Sequence, residues 1–417
     1  MKDFNNLYLQ QDKILNSYKF LIYLFPIFII TGNFLLNGVV ILSLLFLFYI
    51  VVKLKNLKKF DNTQIIFTSL LFSYLIISSI ISGQSYSIES SIRYLRFLPF
   101  ILIMYFFFNT HKEFELKLLK YFNVILIFVL VDGIFQYFYG FNLLGFEKIK
   151  SHRISGFFGD ELILGSFISK YIFLFYIYFT CYGQNNRFLF VLLLLPLIFL
   201  TYVSGERVAF FSTLLFSIFA TIKIFKLKKI LLIFGMLTLV ILTTTFFDET
   251  TRERMLHKTI DQIEFLKEWK NPKKILFFSR DHNAHYQSAY LMFKKGSIKE
   301  KLFGRGVKSF KINCSLRKFC DTLGGCCSTH PHNIFFQILA EIGLIGLGMY
   351  IYFYLFLTHN LIRYGLGKEN NLKYYLLNLA LFVNLLPFVP SGNLFGSFMS
   401  MNFAILLSYS MHVHNDK

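Results

Sequence analysis

Apolar runs of about 17–25 residues recur along most of this chain, and a run of that length is what a helix needs to cross about 30 Å of hydrocarbon. In lipid every backbone N–H and C=O must find its partner inside the protein. Repeated runs of this kind therefore specify an all-α integral membrane protein. The composition of the 417 residues agrees. They are 55% hydrophobic and 16% charged, against roughly 25% charged in a soluble domain, and the mean hydropathy is +0.55. About twelve spans are expected, near 18–32, 34–53, 62–82, 92–109, 119–140, 160–181, 187–203, 207–224, 229–246, 332–358, 373–390 and 394–412. Pro26 is expected to kink the first. Met1 to Lys19 is polar and lacks a cleavable signal-peptide pattern, so the first span is expected to serve as the insertion signal. The spans divide the chain into an N-terminal membrane region (1–246), one large extramembrane loop (247–331) and a C-terminal membrane region (332–417).

The short loops give an orientation. Lys53, Lys55, Lys58 and Lys59, then Lys112, Lys117 and Lys120, then Arg187, then Lys223, Lys226, Lys228 and Lys229, and last Arg363, Lys368 and Lys373 all fall on one side. The positive-inside rule makes that side cytoplasmic, with both termini there. The formal net charge of +20 is then explained by cytoplasmic anchors and by anion-binding arginines. The sequence shows no nucleic-acid-binding module. It also shows no Walker A motif and no internal repeat, which argues against an ATP-driven pump and a secondary transporter.

Several arginines run against the charge bias. Arg93, Arg96, Arg153 and Arg207 fall at the outward ends of spans, where an arginine is costly unless something anionic offsets it. They either snorkel to headgroups or bind diphosphate, whose oxygens match the guanidinium fork. Asp132 lies within a span, where an acid is a functional candidate by default. It can pair with one of these arginines or serve structure alone. Asp160 and Glu161 are read at a helix first turn, where carboxylates are favoured anyway, or as glycan ligands.

The loop 247–331 is expected to be mainly helical, over Thr250 to Trp269 and Asp281 to Phe293, with a turn at Gly304 and Gly306. It is expected to cap the membrane-embedded part. It holds Cys314, Cys320, Cys326 and Cys327, while Cys181 stands apart as an inert core residue. The C-x5-C-x5-C-C spacing lacks the CxxC knuckles of structural zinc sites, so disulfides are preferred to metal. The pairing is either 314–326 with 320–327, or 314–327 with 320–326, or one bond with free thiols.

The loop ends in Cys326-Cys-Ser-Thr-His-Pro-His-Asn333, which runs straight into an apolar segment. Pro331 suits the turn before a helix. His332 and Asn333 then sit at a helix start, where backbone donors lack partners. An imidazole there either exchanges a proton with a bound substrate or helps cap the helix. His332-Asn333, nine residues, then Gly343-Leu-Ile-Gly346 resembles the signature of the O-antigen ligase and O-antigen polymerase superfamily. Arg153-Ile-Ser-Gly-Phe-Phe-Gly-Asp-Glu161, Ser204-Gly-Glu-Arg207, and Arg280 ahead of Leu302-Phe-Gly-Arg-Gly306 agree in order, over about Val131 to Tyr350.

The resemblance implies a GT-C-like membrane glycosyltransferase. It would be inverting and metal-independent, with an outward-facing cavity, and would need no cofactor. It would move a glycan from undecaprenyl diphosphate to an acceptor hydroxyl at the periplasmic face of the bacterial inner membrane. The acceptor would be lipid A core for a ligase or a growing glycan for a polymerase, with protein O-glycosylating ligases sharing the motifs. On this reading His332 is the general base and His330 the second choice. Arg207 and Arg280 bind the diphosphate, and Arg153, Asn333 and Glu206 line the substrate site with Arg93, Arg96, Asp132, Asp160 and Glu161. Glu341, about two and a half turns below His332, pairs with an arginine or packs the span. The competing classes are a lipid-linked oligosaccharide flippase and a non-catalytic assembly partner.

Overall fold

A computed structural model describes residues 12–54, 63–148, 153–182, 186–261, 282–320, 326–367 and 371–415. Among the described residues the chain is α-helical, with an isolated bridge between Phe141 and Glu147. The helices are α1 (Lys13–Tyr23), α2 (Phe25–Thr31), α3 (Asn33–Leu54), α4 (Thr63–Ser82), α5 (Ser85–Tyr94), α6 (Phe97–Thr110) and α7 (Phe114–Tyr139). Next come α8 (Leu164–Ile177), α9 (Arg187–Val203), α10 (Arg207–Ile224), α11 (Leu227–Phe247) and α12 (Glu249–Arg252). The remainder are α13 (Asn283–Lys294), α14 (Ile298–Phe303), α15 (Phe310–Asn313), α16 (Ile334–Glu341), α17 (Gly343–Gly365), α18 (Leu372–Asn384) and α19 (Ser397–Asn415).

Among the described residues eight stretches are long and apolar enough to cross a membrane, and the bent pair α1–α2 makes up to nine. The all-α membrane fold is therefore as expected. Of the remaining expected spans, α9 is an apolar helix of 17 residues, α18 has 13 and α19 has 19. The first span is broken more sharply than a proline kink requires, with α1 and α2 meeting at 51° and Pro26 in the first turn of α2. The expected span 332–358 is also two helices. The chain breaks between α16 and α17 because Gly343 takes φ +71°, a left-handed conformation that ends one helix before the next starts.

Two compact units account for the chain. The first comprises Met1–Leu36, Thr110–Asp261 and Asn360–Asn384. At its centre is α8, buried on every residue from Tyr171 to Ile177 and packed against α7, α9, α10 and α18. In contrast, α11 buries only Ile233 and Leu237 and exposes Leu231, Leu232, Leu239 and Leu242, as a lipid-facing helix should. Cys181 is exposed at the π-helical end of α8 and unbonded. The expectation of a core cysteine fails because the helix carries that residue past the packed layer.

The second unit comprises Asn37–Asn109, Gln262–His359 and Leu385–Lys417. Here α13, α14 and α15 pack on α16 around Tyr286, Ala289, Met292, Phe310, Cys314, Phe319, Phe336 and Ala340. The turn Gly304–Gly306 docks on the end of α16, with Arg305 N donating to Ala340 O and Gly306 N to Glu341 O at 3.2 and 2.8 Å. A Cβ on Gly304 would lie 2.3 Å from Glu341 O, and one on Gly343 would lie 2.4 Å from Gly304 N. The two glycine motifs read from the sequence thus meet backbone to backbone, which side chains would prevent. Tyr74 and Ser78 of α4 complete the joint, donating to Ile342 O and Phe303 O, each at 2.6 Å.

Candidate functional site

In the first unit the loop that carries Arg153 is pinned by buried groups on α7. Gln136 Oε1 accepts from Ser155 N (2.9 Å) and Gly156 N (2.7 Å). Asp132, fully buried, accepts from Leu143 N at 2.8 Å and from Asn142 at 3.5 Å. Asp132 therefore meets loop amides and an asparagine through these bonds, because α7 ends beneath a turn whose donors need an acceptor. Arg153 in turn donates to Ser204 O at 3.2 Å and Leu162 O at 3.4 Å.

Glu206 precedes α10, but its side chain serves the first turn of α8. Its carboxylate accepts from Gly165 N (2.7 Å), Ser166 N (3.0 Å) and Ser166 Oγ (2.5 Å). Burial raises its carboxyl above the usual range, and the Ser166 bond and the Arg153 charge oppose that. Arg207 opens α10 and donates to Lys258 O at 3.1 Å.

Sequence reasoning missed the third member, Arg254. It follows α12 in a single π-helical turn, Glu253–His257, and donates through Nε to Gly205 O at 2.9 Å. A Cβ at Gly205 would lie 2.6 Å from Arg254 Cδ, so the glycine of Ser204-Gly-Glu-Arg207 is what lets this arginine lie against the turn. Burial and the neighbouring Arg207 charge both lower the Arg254 proton affinity, and burial and Arg254 lower that of Arg153. Arg153 and Arg254 thus both lie near one carboxylate whose oxygens are already bonded to serine and backbone, and Arg207 lies near Arg254. Guanidiniums in this half-buried setting match the oxygens of a diphosphate. A cavity lined by Arg187, Phe190, Lys223 and Phe225 lies at the other ends of α9 and α10 and is not this site.

The remaining expected ligands stand exposed or have other partners. Asp160 and Glu161 are exposed and precede α8 instead of starting it. Gly159, at φ +57°, turns the chain and delays the helix to Leu164. Arg93 forms an exposed pair with Glu89 one turn back. Arg96 donates to Asn37 (2.9 Å) and Ser397 (3.3 Å). Arg280 lies outside the described residues.

In the second unit the His330-Pro-His-Asn333 segment is built as a helix entry. Asn333 is the N-cap of α16, accepting from Phe336 N at 3.1 Å. Its amide donates to Pro387 O and Val389 O, at 2.8 and 3.3 Å. Asn333 thus caps the helix, as its place at the helix start predicts. The preceding residue, His332, has φ +59°, which is uncommon and strained for a non-glycine residue. Its carbonyl is held by Ser391 N at 2.8 Å. Two disulfides, Cys314–Cys327 and Cys320–Cys326, fix the approach, which is one of the three expected arrangements.

The imidazoles differ in role. His330 is buried. Its Nε2 lies 3.2 Å from Ser391 O, which can only accept, so Nε2 carries the proton and Nδ1 faces Thr329 Oγ1 at 2.9 Å. His332 Nε2 pairs with Ser328 Oγ at 3.0 Å. Burial first, and then for His332 the surrounding histidines, push the two rings down to about 4 and about 3. Both are therefore neutral at pH 7 and offer a lone pair. His332 also stacks on His282, ring centroids 4.5 Å apart, with His285 at 5.5 Å. His282 and His285 were not singled out from the sequence, although His282-Asn-Ala-His285 puts both on one helix face. Glu341 pairs with no arginine among the described residues. Its oxygens accept from Phe310 N and Gln337, each at 3.1 Å, and it serves the joint beneath α16.

Residues 189–351 match the family model described as O-antigen ligase. That segment holds Arg207, Arg254, the three stacked histidines and the Gly304–Gly343 joint. The match supports the superfamily that the motifs resemble, and with it a membrane glycosyltransferase. No curated protein matches the chain.

Proposed function

We propose that this chain, with its O-antigen ligase domain, transfers a glycan from undecaprenyl diphosphate to an acceptor hydroxyl at the periplasmic face of the bacterial inner membrane. Transfer onto a lipid A core acceptor is favoured over polymerisation of repeat units. What supports this most is that the family match spans both the Arg207–Arg254 pair and the His332 helix entry.

In this reading Arg153, Arg207 and Arg254 bind the diphosphate and take up the charge that develops on it as the glycosidic C–O bond breaks. His332 accepts the proton of the incoming hydroxyl, and His330 is the positioning residue beside it. Attack in line with the departing diphosphate would invert the anomeric centre. Arg280 keeps its proposed place as a further diphosphate ligand.

The test is transfer in membranes from a defined undecaprenyl-diphosphate glycan. Loss of transfer in His332→Ala and Arg254→Ala at normal protein level supports the assignment. Undiminished transfer in either removes that residue's role. The surface glycan of a deletion strain separates the two chemistries: long chains accumulating on undecaprenyl diphosphate indicate a ligase, and single repeats indicate a polymerase.

A further inference from the structure

We propose that His282, His285 and His332 form a site for one divalent first-row transition-metal ion, zinc being the best match, and that metal bound there withdraws His332 from proton exchange. The second half rests on the assignment of His332 as the base; the first does not.

One ligand nitrogen from each of the three rings lies within 4.8 Å of the others. Ring centroids are 4.5 Å (His282–His332), 5.5 Å (His285–His332) and 6.1 Å (His282–His285) apart. Three imidazoles on one tetrahedral ion, with metal–nitrogen bonds of about 2.0–2.1 Å, would have centroids about 5 Å apart. The spacing therefore fits, and the His282 and His332 rings, now 15° from parallel, would turn to aim their lone pairs at one ion.

The frame is rigid. His282 and His285 are the N-cap and third residue of α13, and α13 is packed on α16 through the buried core that includes Tyr286 and Phe336. The His285 Nδ1 atom is buried and has no hydrogen-bond partner among the described residues, so that ring nitrogen is open to a ligand.

The donor set decides the class of metal. Three imidazoles without a carboxylate or thiolate suit zinc, copper or nickel and are poor for magnesium or calcium. The four loop cysteines are committed to disulfides. His330 is engaged at both ring nitrogens and is a neighbour of the site, leaving the fourth position for solvent.

The full chain in detergent, stripped with chelator and dialysed against zinc, should retain about one zinc per chain and no magnesium. His282→Ala and His285→Ala should each weaken zinc binding by about 100-fold or more, while His330→Ala keeps it. Cobalt in place of zinc should give the visible spectrum of a tetrahedral nitrogen site, a readout on the wild-type chain that does not depend on how variants fold. Wild-type zinc content in both variants, or no metal in the wild-type chain, overturns the site. Zinc should also inhibit transfer reversibly in the wild type. Zinc bound with transfer unchanged overturns the second half and leaves the site standing. Metal content is read without turnover, so its failure is distinct from failure of the transferase reading.

Discussion

Tyr286 lies flat on Phe336, their ring centroids 5.3 Å apart and their planes 12° from parallel. The stack joins the helix that carries His285 to the helix that Asn333 caps. Both rings are buried, so truncating either leaves a cavity as well as losing the contact. Tyr286→Ala or Phe336→Ala should cost about 3–5 kcal/mol, read as earlier thermal unfolding of the solubilised protein. Tyr286→Phe keeps the ring and should cost far less.

The Arg254 side chain reaches its place because residue 205 has no side chain. Arg254→Ala should lower kcat/KM for transfer by about 100-fold, the scale of losing one aligned charge-stabilising donor. Arg254→Lys should recover only part of that, since an ammonium lacks the guanidinium fork. Gly205→Ala should reproduce the loss with Arg254 intact, because the new methyl would lie 2.6 Å from Arg254 Cδ and push the side chain away. If Gly205→Ala is fully active, the glycine does not position this arginine.

Glu206 supplies a pH prediction. Its carboxyl is raised by burial, so the folded state binds this proton more tightly than the unfolded chain does. The site's contribution to stability is therefore greatest at low pH and declines as pH rises through the unfolded value, about 4.3, toward the raised folded one. In Glu206→Gln that slope disappears. The melting temperature of wild type minus variant, followed from acid to neutral pH, should fall. A flat difference would contradict the buried-carboxylate assignment.

Breaking Cys314–Cys327, which closes a separation of 13 residues, should cost about 3 kcal/mol by chain entropy. Cys314→Ser with Cys327→Ser should lower the melting temperature, and a reductant should lower that of the wild type but not further that of the double variant at this bond.

How much of this was legible in the sequence varied by residue. The spans were legible because apolar length is a local property. The His-Pro-His-Asn entry was legible because proline and a capping asparagine act on their own neighbours. The cysteines narrowed to two full pairings, but choosing between them needed the path of the chain after α15. Arg254 was not legible. It sits in a charged, periodic stretch that reads as a solvated helix, and only the reversal after α11 returns it to Gly205. Glu341 and Asp132 suggested charge partners, yet their oxygens serve backbone amides, which have no signature in a sequence. His282 and His285 shared a readable helix face, but their meeting with His332 depends on two buried rings fitting together.

The paired sulfurs between α15 and His330 have a consequence for how the molecule is made. Such bonds persist where thiols are oxidised and are undone where glutathione is reduced. A chain threaded through its membrane the wrong way round would present this segment to the reducing side and leave it unstitched, with the stacked imidazoles held by noncovalent packing alone. The redox state of four sulfurs would then report which way the protein had gone in.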